Sequence, residues 1–383
     1  MVAMALSVRS MCSQHLYRRP VTDPSIRALF APADGVTYLD AATYGLPPTP
    51  TVEVMERALA GWRSGSARWV DDWDRPAEAA RGLFAELIGA SAADIALIPS
   101  VSVGTGLVAA SLRPGDIVVV PDDEHVSDLF PLLVAERRGV TVRAVPFAAL
   151  PDAIEPGTTL VAASLVQMQT GRVADLASIT RRAAEVGAQV LIDSTHATPF
   201  VEVADHIEAI DYLVCHAYKH LLGARGCAFF YVRADRVDDL EPTYANWRGA
   251  PDPWSKFFGG PLDLADDAAR FNVSLAWLPW VATVESLRCV TAWRREGALA
   301  PVLALATRFA GALHREPQGA SLVCVPVSEP EHVRAALDRE RIRAAVRGNG
   351  IRFSVHVWND DDDIERAVDA IRPFLPAPDQ VAK

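Results

Sequence analysis

Seven short, continuously apolar runs between residues 95 and 232 constrain the fold more than any other feature. They are IALI, DIVVV, VTVRAV, TTLVAAS, QVLID, DYLVC and CAFFYV. Helical stretches such as GTGLVAASL, SDLFPLLVAERRG and LASITRRAAEVG separate many of them. A strand wetted on one face alternates apolar and polar residues, whereas a strand apolar throughout is covered on both faces. Such strands alternating with helices predict an α/β fold with a mostly parallel sheet covered by helices. At 383 residues and 50% hydrophobic content the chain can bury that core and still build a second unit. CVPV, RIRAAV and IRFSVHV, with the helical patterns EHVRAALDRE and DDDIERAVDAIRPFL, predict a small C-terminal α+β domain. The expected division is an N-terminal arm over 1–35, a large α/β domain over 36–245, and linker loops with the small domain over 246–383. RSGSARWVDDWDR reads as a loop, and 279–314 as a long helical stretch.

The bulk properties exclude several classes. The formal net charge is -11 and no basic run offsets it, which argues against nucleic acid as a partner. Five cysteines, an odd number without CxxC spacing, read as free thiols in a reducing compartment. No apolar run approaches the roughly 18–20 residues that span a bilayer. The N-terminal twenty residues hold no apolar core long enough for a secretory signal, with Met4 or Met11 as possible alternative starts. The expectation is a cytoplasmic protein with neither nucleic acid nor membrane as a partner.

The chemistry-bearing residues cluster at strand ends. QVLID ends in Asp193, and His196 follows. DYLVC runs into His216, Tyr218 and Lys219. A carboxylate at one strand end and a lysine just beyond the next suit a cofactor that needs an acid partner and an amine. Pyridoxal 5′-phosphate (PLP) is such a cofactor. A lysine straight after an apolar strand is otherwise unusual, although a snorkelling side chain is the plain alternative. Asp193 could equally cap the next loop. Ser102, Val103 and Gly104 open a helix after IALIPS, where backbone N–H groups favour a phosphate. His125 follows DIVVV and could stack on a flat ring and shuttle protons. Gln167 and Gln169 follow LVAAS, within reach of a ring oxygen. Arg352, in IRFSVHV, could fork onto a carboxylate.

Two rival readings use the same residues. His216 and His220 are spaced like zinc ligands on one helix face. However, position 217 is alanine and no third ligand follows, so no metal is expected. Gly104, Gly106 and Ala109 match a dinucleotide fingerprint, with Asp122 and Asp123 at the next strand end, as in an NAD-dependent oxidoreductase. That reading leaves Asp193, His196 and Lys219 without a role.

In order along the chain, LDAATYG, PSVSVG, EH, SLVQMQTG, DSTH, HAYKHLLGARG, RFNVS and RGNGIRFSVHVWN together resemble the class V aminotransferase family of fold-type I PLP enzymes. The resemblance runs from about residue 36 to 375. It implies that Lys219 is the Schiff-base lysine, that Asp193 pairs with the pyridine nitrogen and that His196 approaches the 3′-oxygen. It also implies that His125 stacks on the ring and takes part in catalysis. Ser102, Val103, Gly104, His216 and Tyr218 would surround the phosphate. Ser274 would reach the phosphate of a partner subunit, hence an expected homodimer with sites at the subunit interface. Arg352 would hold the α-carboxylate of an amino-acid substrate, and Tyr44 lies on one of the aromatic loops expected to meet it. Two departures matter. The loop AAVRGNG lacks the catalytic cysteine of the desulfurases, and Cys324 sits in a strand-like segment, so desulfurase activity is not expected. Met168 stands where many members carry a small polar residue or Asn, which makes Gln167 the better ring contact. The motif style is closest to the isopenicillin N epimerase, ergothioneine C–S lyase and lincosamide-pathway branch. The expected reaction is therefore β-elimination from a cysteine S-conjugate in secondary metabolism, ahead of transamination, epimerisation or decarboxylation.

Overall fold

The computed structural model describes residues 23–255, 257–327, 329–347 and 350–375. Most of the expected N-terminal arm, the alternative starts Met4 and Met11, and Cys12 lie outside them. The first described elements are a helical turn, α1 (Pro24–Arg27), and the two-residue strand β1 (Thr37–Tyr38). Next come α2 (Thr49–Ser64), the one-turn α3 (Arg75–Ala77), α4 (Ala79–Ile88), β2 (Ile95–Ile98), α5 (Val101–Ser111), β3 (Ile117–Pro121), α6 (Val126–Glu136), β4 (Thr141–Val145) and β5 (Leu160–Ser164). The large unit ends with α7 (Leu176–Val186), β6 (Gln189–Asp193), β7 (Tyr212–His216) and β8 (Ala228–Val232). Strands β2 to β8 are the seven apolar runs. They form one sheet in the order β2-β8-β7-β6-β5-β3-β4, in which only the pairings of β8 are antiparallel.

The order explains where chemistry collects. β6 and β7 are central, and every residue of β5 and of Ala228–Val232 is buried. Their continuous apolar sequence follows from cover on both faces, with α4 and α8 among the elements on one side and α5 and α6 on the other. A polar residue at the carboxyl end of such a strand leaves the apolar layer and faces the crevice where α/β proteins bind ligands. Asp193 ends β6 and His216 ends β7.

The C-terminal half holds α8 (Trp277–Arg295), α9 (Ala300–Ala312), β9 (Leu322–Pro326), α10 (Pro330–Arg339), β10 (Ile342–Arg343), β11 (Ala345–Arg347), β12 (Gly350–Ser354) and α11 (Asp361–Ile371). β12 lies between β11 and β9 in an antiparallel sheet. Three local expectations change. The helical stretch 279–314 is two helices, broken where Gly297 takes φ of 73°. RSGSARWVDDWDR is a π-helical turn over Val70–Asp74, held because buried Asp74 accepts the indole N–H groups of Trp254 and Trp277 at 3.0 Å each. β1, at the start of the expected large unit, pairs in parallel with β10. The chain after β1 therefore runs beside β12, where Ser354 N–H donates to Leu39 O at 2.8 Å and Ala42 N–H donates to Ser354 Oγ at 2.7 Å. No helix among the described residues is long and apolar enough to cross a membrane.

Candidate active site

Lys219 is one of three lysines in the chain, with Lys256 and Lys383. It follows β7 in a buried turn, and its Nζ lies 3.0 Å from His196 Nε2. Burial pushes the amine down to about 8; Arg352 adds to the depression and Asp193 opposes it. Burial, then the neighbouring Lys219, holds the His196 imidazole well below its usual range, so the ring is neutral. The turn is gripped from outside by Gly45, whose N–H donates to Tyr218 O at 2.9 Å. A Cβ on Gly45 would stand 2.2 Å from Lys219 O, so only glycine fits.

Asp193 is buried, and its Oδ1 accepts the Thr195 N–H at 2.7 Å. Thr195 Oγ1 in turn accepts the His216 N–H at 2.9 Å, tying the ends of β6 and β7 together. Beside Asp193 stands a residue that the sequence reading passed over. Asp128, in the first turn of α6, is buried within hydrogen-bonding reach of the Asp193 carboxyl. Its Oδ1 accepts from Thr105 Oγ1 at 2.9 Å, and no donor reaches its buried Oδ2. Burial, then Asp193 and Glu124, pushes its carboxyl well above the usual range. Two buried carboxyls in reach of each other do not both ionise, so Asp128 carries the proton between them. Glu124 completes the acidic wall: it accepts from the Ser164 and His125 N–H groups at 2.7 Å each, and burial raises its carboxyl too. In the sequence, Asp128 reads as an ordinary first-turn acid favoured by the helix dipole.

His125 caps α6, with Nδ1 accepting the Ser127 N–H at 3.2 Å. Burial, then Lys219, lowers its imidazole, which leaves it neutral. The start of α5 carries no side-chain cap, so no side-chain oxygen of its own competes for an anion there. The His216 ring meets this helix start, its Nε2 3.5 Å from the Val101 nitrogen and its Nδ1 without a partner. Ser102 and Gly104 lie in this turn, and a Cβ on Gly104 would meet Val214 Cγ1 at 2.7 Å, so glycine lets α5 close on β7. Val103 lies in the same turn, and its N–H donates to Ser100 O at 3.1 Å. Tyr218 packs edge-on against His216, ring centroids 4.9 Å apart.

Gln167 is also more committed than its sequence position implies. Its Oε1 accepts the Gln169 and Thr170 N–H groups at 2.7 Å each, and its Nε2 donates to Asp123 O at 3.1 Å. It staples its own loop, leaving a single amide N–H for a ring oxygen. Arg352 is buried on β12. Its Nη2 donates to Thr43 Oγ1 at 3.0 Å and lies 3.6 Å from Asp40 Oδ1, while Nε and Nη1 have no partner. Tyr44, half exposed, follows Thr43 on the same loop. Ser274 stands exposed in the segment before α8.

The rival readings fail on geometry. His216 ends a strand and His220 lies in the turn after it, stacked with His356 at 6.0 Å, so the pair does not share a helix face. Gly104, Gly106 and Ala109 all lie inside α5 rather than in a strand-to-helix turn, which removes the dinucleotide fingerprint.

The residues present fit PLP. A buried amine with a lowered basicity, a buried carboxyl pair, an uncapped helix start and an arginine with two unpartnered nitrogens are brought together at the carboxyl ends of β6 and β7. Each is costly to bury alone and becomes satisfied by an aldehyde, a pyridinium, a phosphate and a carboxylate in turn. Comparison with known proteins agrees. The family model for aminotransferase class-V matches residues 37–246. A probable cysteine desulfurase of Methanothermobacter thermautotrophicus is 32% identical over 219 residues, 54% of this chain and 55% of that protein, so the match spans about half of that relative's length. An isopenicillin N epimerase of Streptomyces clavuligerus is 27% identical over 335 residues, 76% of this chain and 83% of that protein. A solved complex of a cystine C–S lyase with its product cysteine persulfide shares the fold, with a TM-score of 0.78 at 21% identity over 90% of this chain and 99% of that one.

Proposed function

The chain belongs to the class-V aminotransferase family, and on that premise we propose that it is a PLP enzyme that cleaves the C–S bond of a cysteine S-conjugate. The net reaction is β-elimination: conjugate and water yield the free thiol, pyruvate and ammonia. Bound PLP supplies an electron sink that acidifies the Cα–H of an amino acid joined to it.

The rest falls to this chain's own groups. Lys219 would hold the cofactor and, when released from it, take the Cα proton at Nζ. An amine lowered to about 8 is a competent base near neutral pH. His196, neutral and 3.0 Å away, orients that amine. Asp193 would face the pyridine nitrogen, with Asp128 holding a proton at its side. Ser102, Gly104, His216 and Tyr218 would bind the phosphate, and His125 would cover the ring. Arg352 would hold the α-carboxylate through Nε and Nη1. Its planar fork fixes the orientation of the Cα–H bond better than a point charge does.

The observation that favours elimination over sulfur transfer is the state of the thiol beside the proposed carboxylate site. Cys324 is the cross-strand partner of Arg352, so it flanks the proposed carboxylate site. Burial pushes its thiol up to about 12, so it is a neutral SH and a poor sulfur acceptor. The site thus offers a base for the Cα proton without a thiolate to take the sulfur, and the sulfur leaves as part of the departing thiol. Incubation of the purified enzyme with S-alkyl cysteines tests this. Pyruvate and thiol in equal amounts support elimination. With free cysteine as substrate instead, alanine and a persulfide on Cys324 would indicate a desulfurase. A keto acid retaining the sulfur would indicate transamination.

A further inference from the structure

A cavity with a volume of about 320 Å³ opens beside Cys324, the cross-strand partner of Arg352. Its polar lining is Gln169, Thr170, Arg172, Arg315, Gln318 and Arg347. Three guanidinium groups therefore share one cavity in a chain whose net charge is -11. Among the described residues, none of the three side chains has an ion pair or a hydrogen bond to a carboxylate. Two carboxylates feel these charges at longer range, Asp123 through Arg172 and Asp40 through Arg347, but neither lines the cavity, and exposed Glu316 lines a smaller neighbouring one.

The cavity is built from the same two elements that serve the crevice. One wall is the loop stapled by Gln167, through Gln169, Thr170 and Arg172. The other is the small sheet. There Cys324 pairs with Arg352, Ala345 pairs with Arg352, and Arg347 pairs with Gly350. Paired residues in an antiparallel sheet point to one face, and so do residues two apart. Arg352, Cys324 and Arg347 therefore share a face. Arg352 lies at its buried end and Arg347 at its open edge, and Cys324 lines the cavity between them. Gly350 has no side chain to fill the space opposite Arg347.

From this placement we infer that Arg172, Arg315 and Arg347 form a subsite for a carboxylate on the substrate's side chain, so that the preferred substrates are amino acids with a second, distal carboxylate. The inference rests on the reading of Arg352 as the α-carboxylate site. A substrate held there projects its side chain along the shared face, and a distal carboxylate reaches three guanidiniums able to bind it with charge-assisted bonds. Neutral side chains of the same size leave those cations solvated and gain nothing from them.

The test compares S-carboxymethyl-cysteine with its neutral isostere S-carbamoylmethyl-cysteine in the holoenzyme. The expected result is at least tenfold higher kcat/KM for the carboxylate, carried by KM and weakened by added salt. In the double variant R172Q/R315Q, and separately in R347Q, that preference should fall at least fivefold while the visible band of bound cofactor is retained. Equal kcat/KM for the two compounds, or equal losses for both in the variants, would overturn the inference. A second readout separates it from the proposed reaction. Glutamate and glutamine are not eliminated, yet each perturbs the cofactor absorbance on binding. Glutamate should bind at least tenfold more tightly than glutamine, and the variants should erase the difference. If no conjugate releases thiol but this preference holds, the elimination reading falls and the subsite stands. If conjugates are cleaved without any anionic preference, the subsite falls and the elimination reading stands.

Discussion

A buried amine beside a buried imidazole is costly, and at the residue scale that cost defines the site. Lys219 and His196 both lose basicity through burial, so the imidazole is neutral and the amine, at about 8, gives up its proton far more readily than an ordinary lysine. Arg352 remains a cation in a buried position with two nitrogens unpartnered. Replacing it by lysine keeps the charge and removes the fork. The expected outcome for R352K is a KM raised about tenfold or more with a smaller change in kcat. Steady-state kinetics checks it, and an unchanged KM would count against the assignment. Asp128 gives a pH-dependent expectation. Its folded carboxyl is raised above its unfolded value, so the neutral form contributes stability that is fully present below about pH 4 and lost as pH rises through the folded value. Asp128→Asn is neutral at every pH. Thermal melts should show the variant gaining on the wild type by roughly 1–3 kcal/mol at high pH, with the gap closing toward pH 4. A gap independent of pH would contradict the shared-proton account. Asp193 and Lys219 were legible in the sequence because a charge directly after an apolar strand has few structural uses. Asp128, Glu124 and Thr43 were not, since nothing local separates them from helix-start and loop residues. Their roles come from neighbours distant along the chain.

The elements of the large sheet were legible for a related reason. Strands covered on both faces are apolar at every position, and that pattern survives without an alignment. Where the sequence reading departed from the structure, a tertiary contact decided. β1 pairs with β10 because the loop after it must reach Arg352, which binds Thr43 and lies beside Asp40. The turn Val70–Asp74 is held by tryptophans from two segments more than 170 residues further on. At this scale Gly45 is the most exposed prediction. A methyl group there meets Lys219 O at 2.2 Å, and overpacking of this kind costs roughly 1–3 kcal/mol. Gly45→Ala should lower the melting temperature and weaken retention of the cofactor together, because the strain falls on the lysine turn itself. A variant that melts like the wild type and keeps its cofactor would show that the turn is free to shift.

For the whole molecule, the surface is predominantly acidic, yet large apolar side chains stand open. Phe258 is 94% exposed, Leu262 78% and Phe130 57%. Exposed apolar groups of this size are of the kind that an interface covers, and on that basis we propose a homodimer in which Ser274 of one subunit serves the other's site. Sedimentation should give about twice the chain mass of 41.4 kDa. Ser274→Ala should weaken PLP retention severalfold, and a monomer that turns over substrate would exclude this arrangement. The most direct measurement of the central claim uses the scarcity of lysine. Only Lys219, Lys256 and Lys383 are available to hold the cofactor. Borohydride reduction of the holoenzyme, followed by peptide mass mapping, should place the pyridoxyl group on the Lys219 peptide and on neither of the others. Lys219→Ala should lose both the label and the visible band. A pyridoxyl group on Lys256 or Lys383, or a Lys219→Ala protein that is still labelled, would contradict the account.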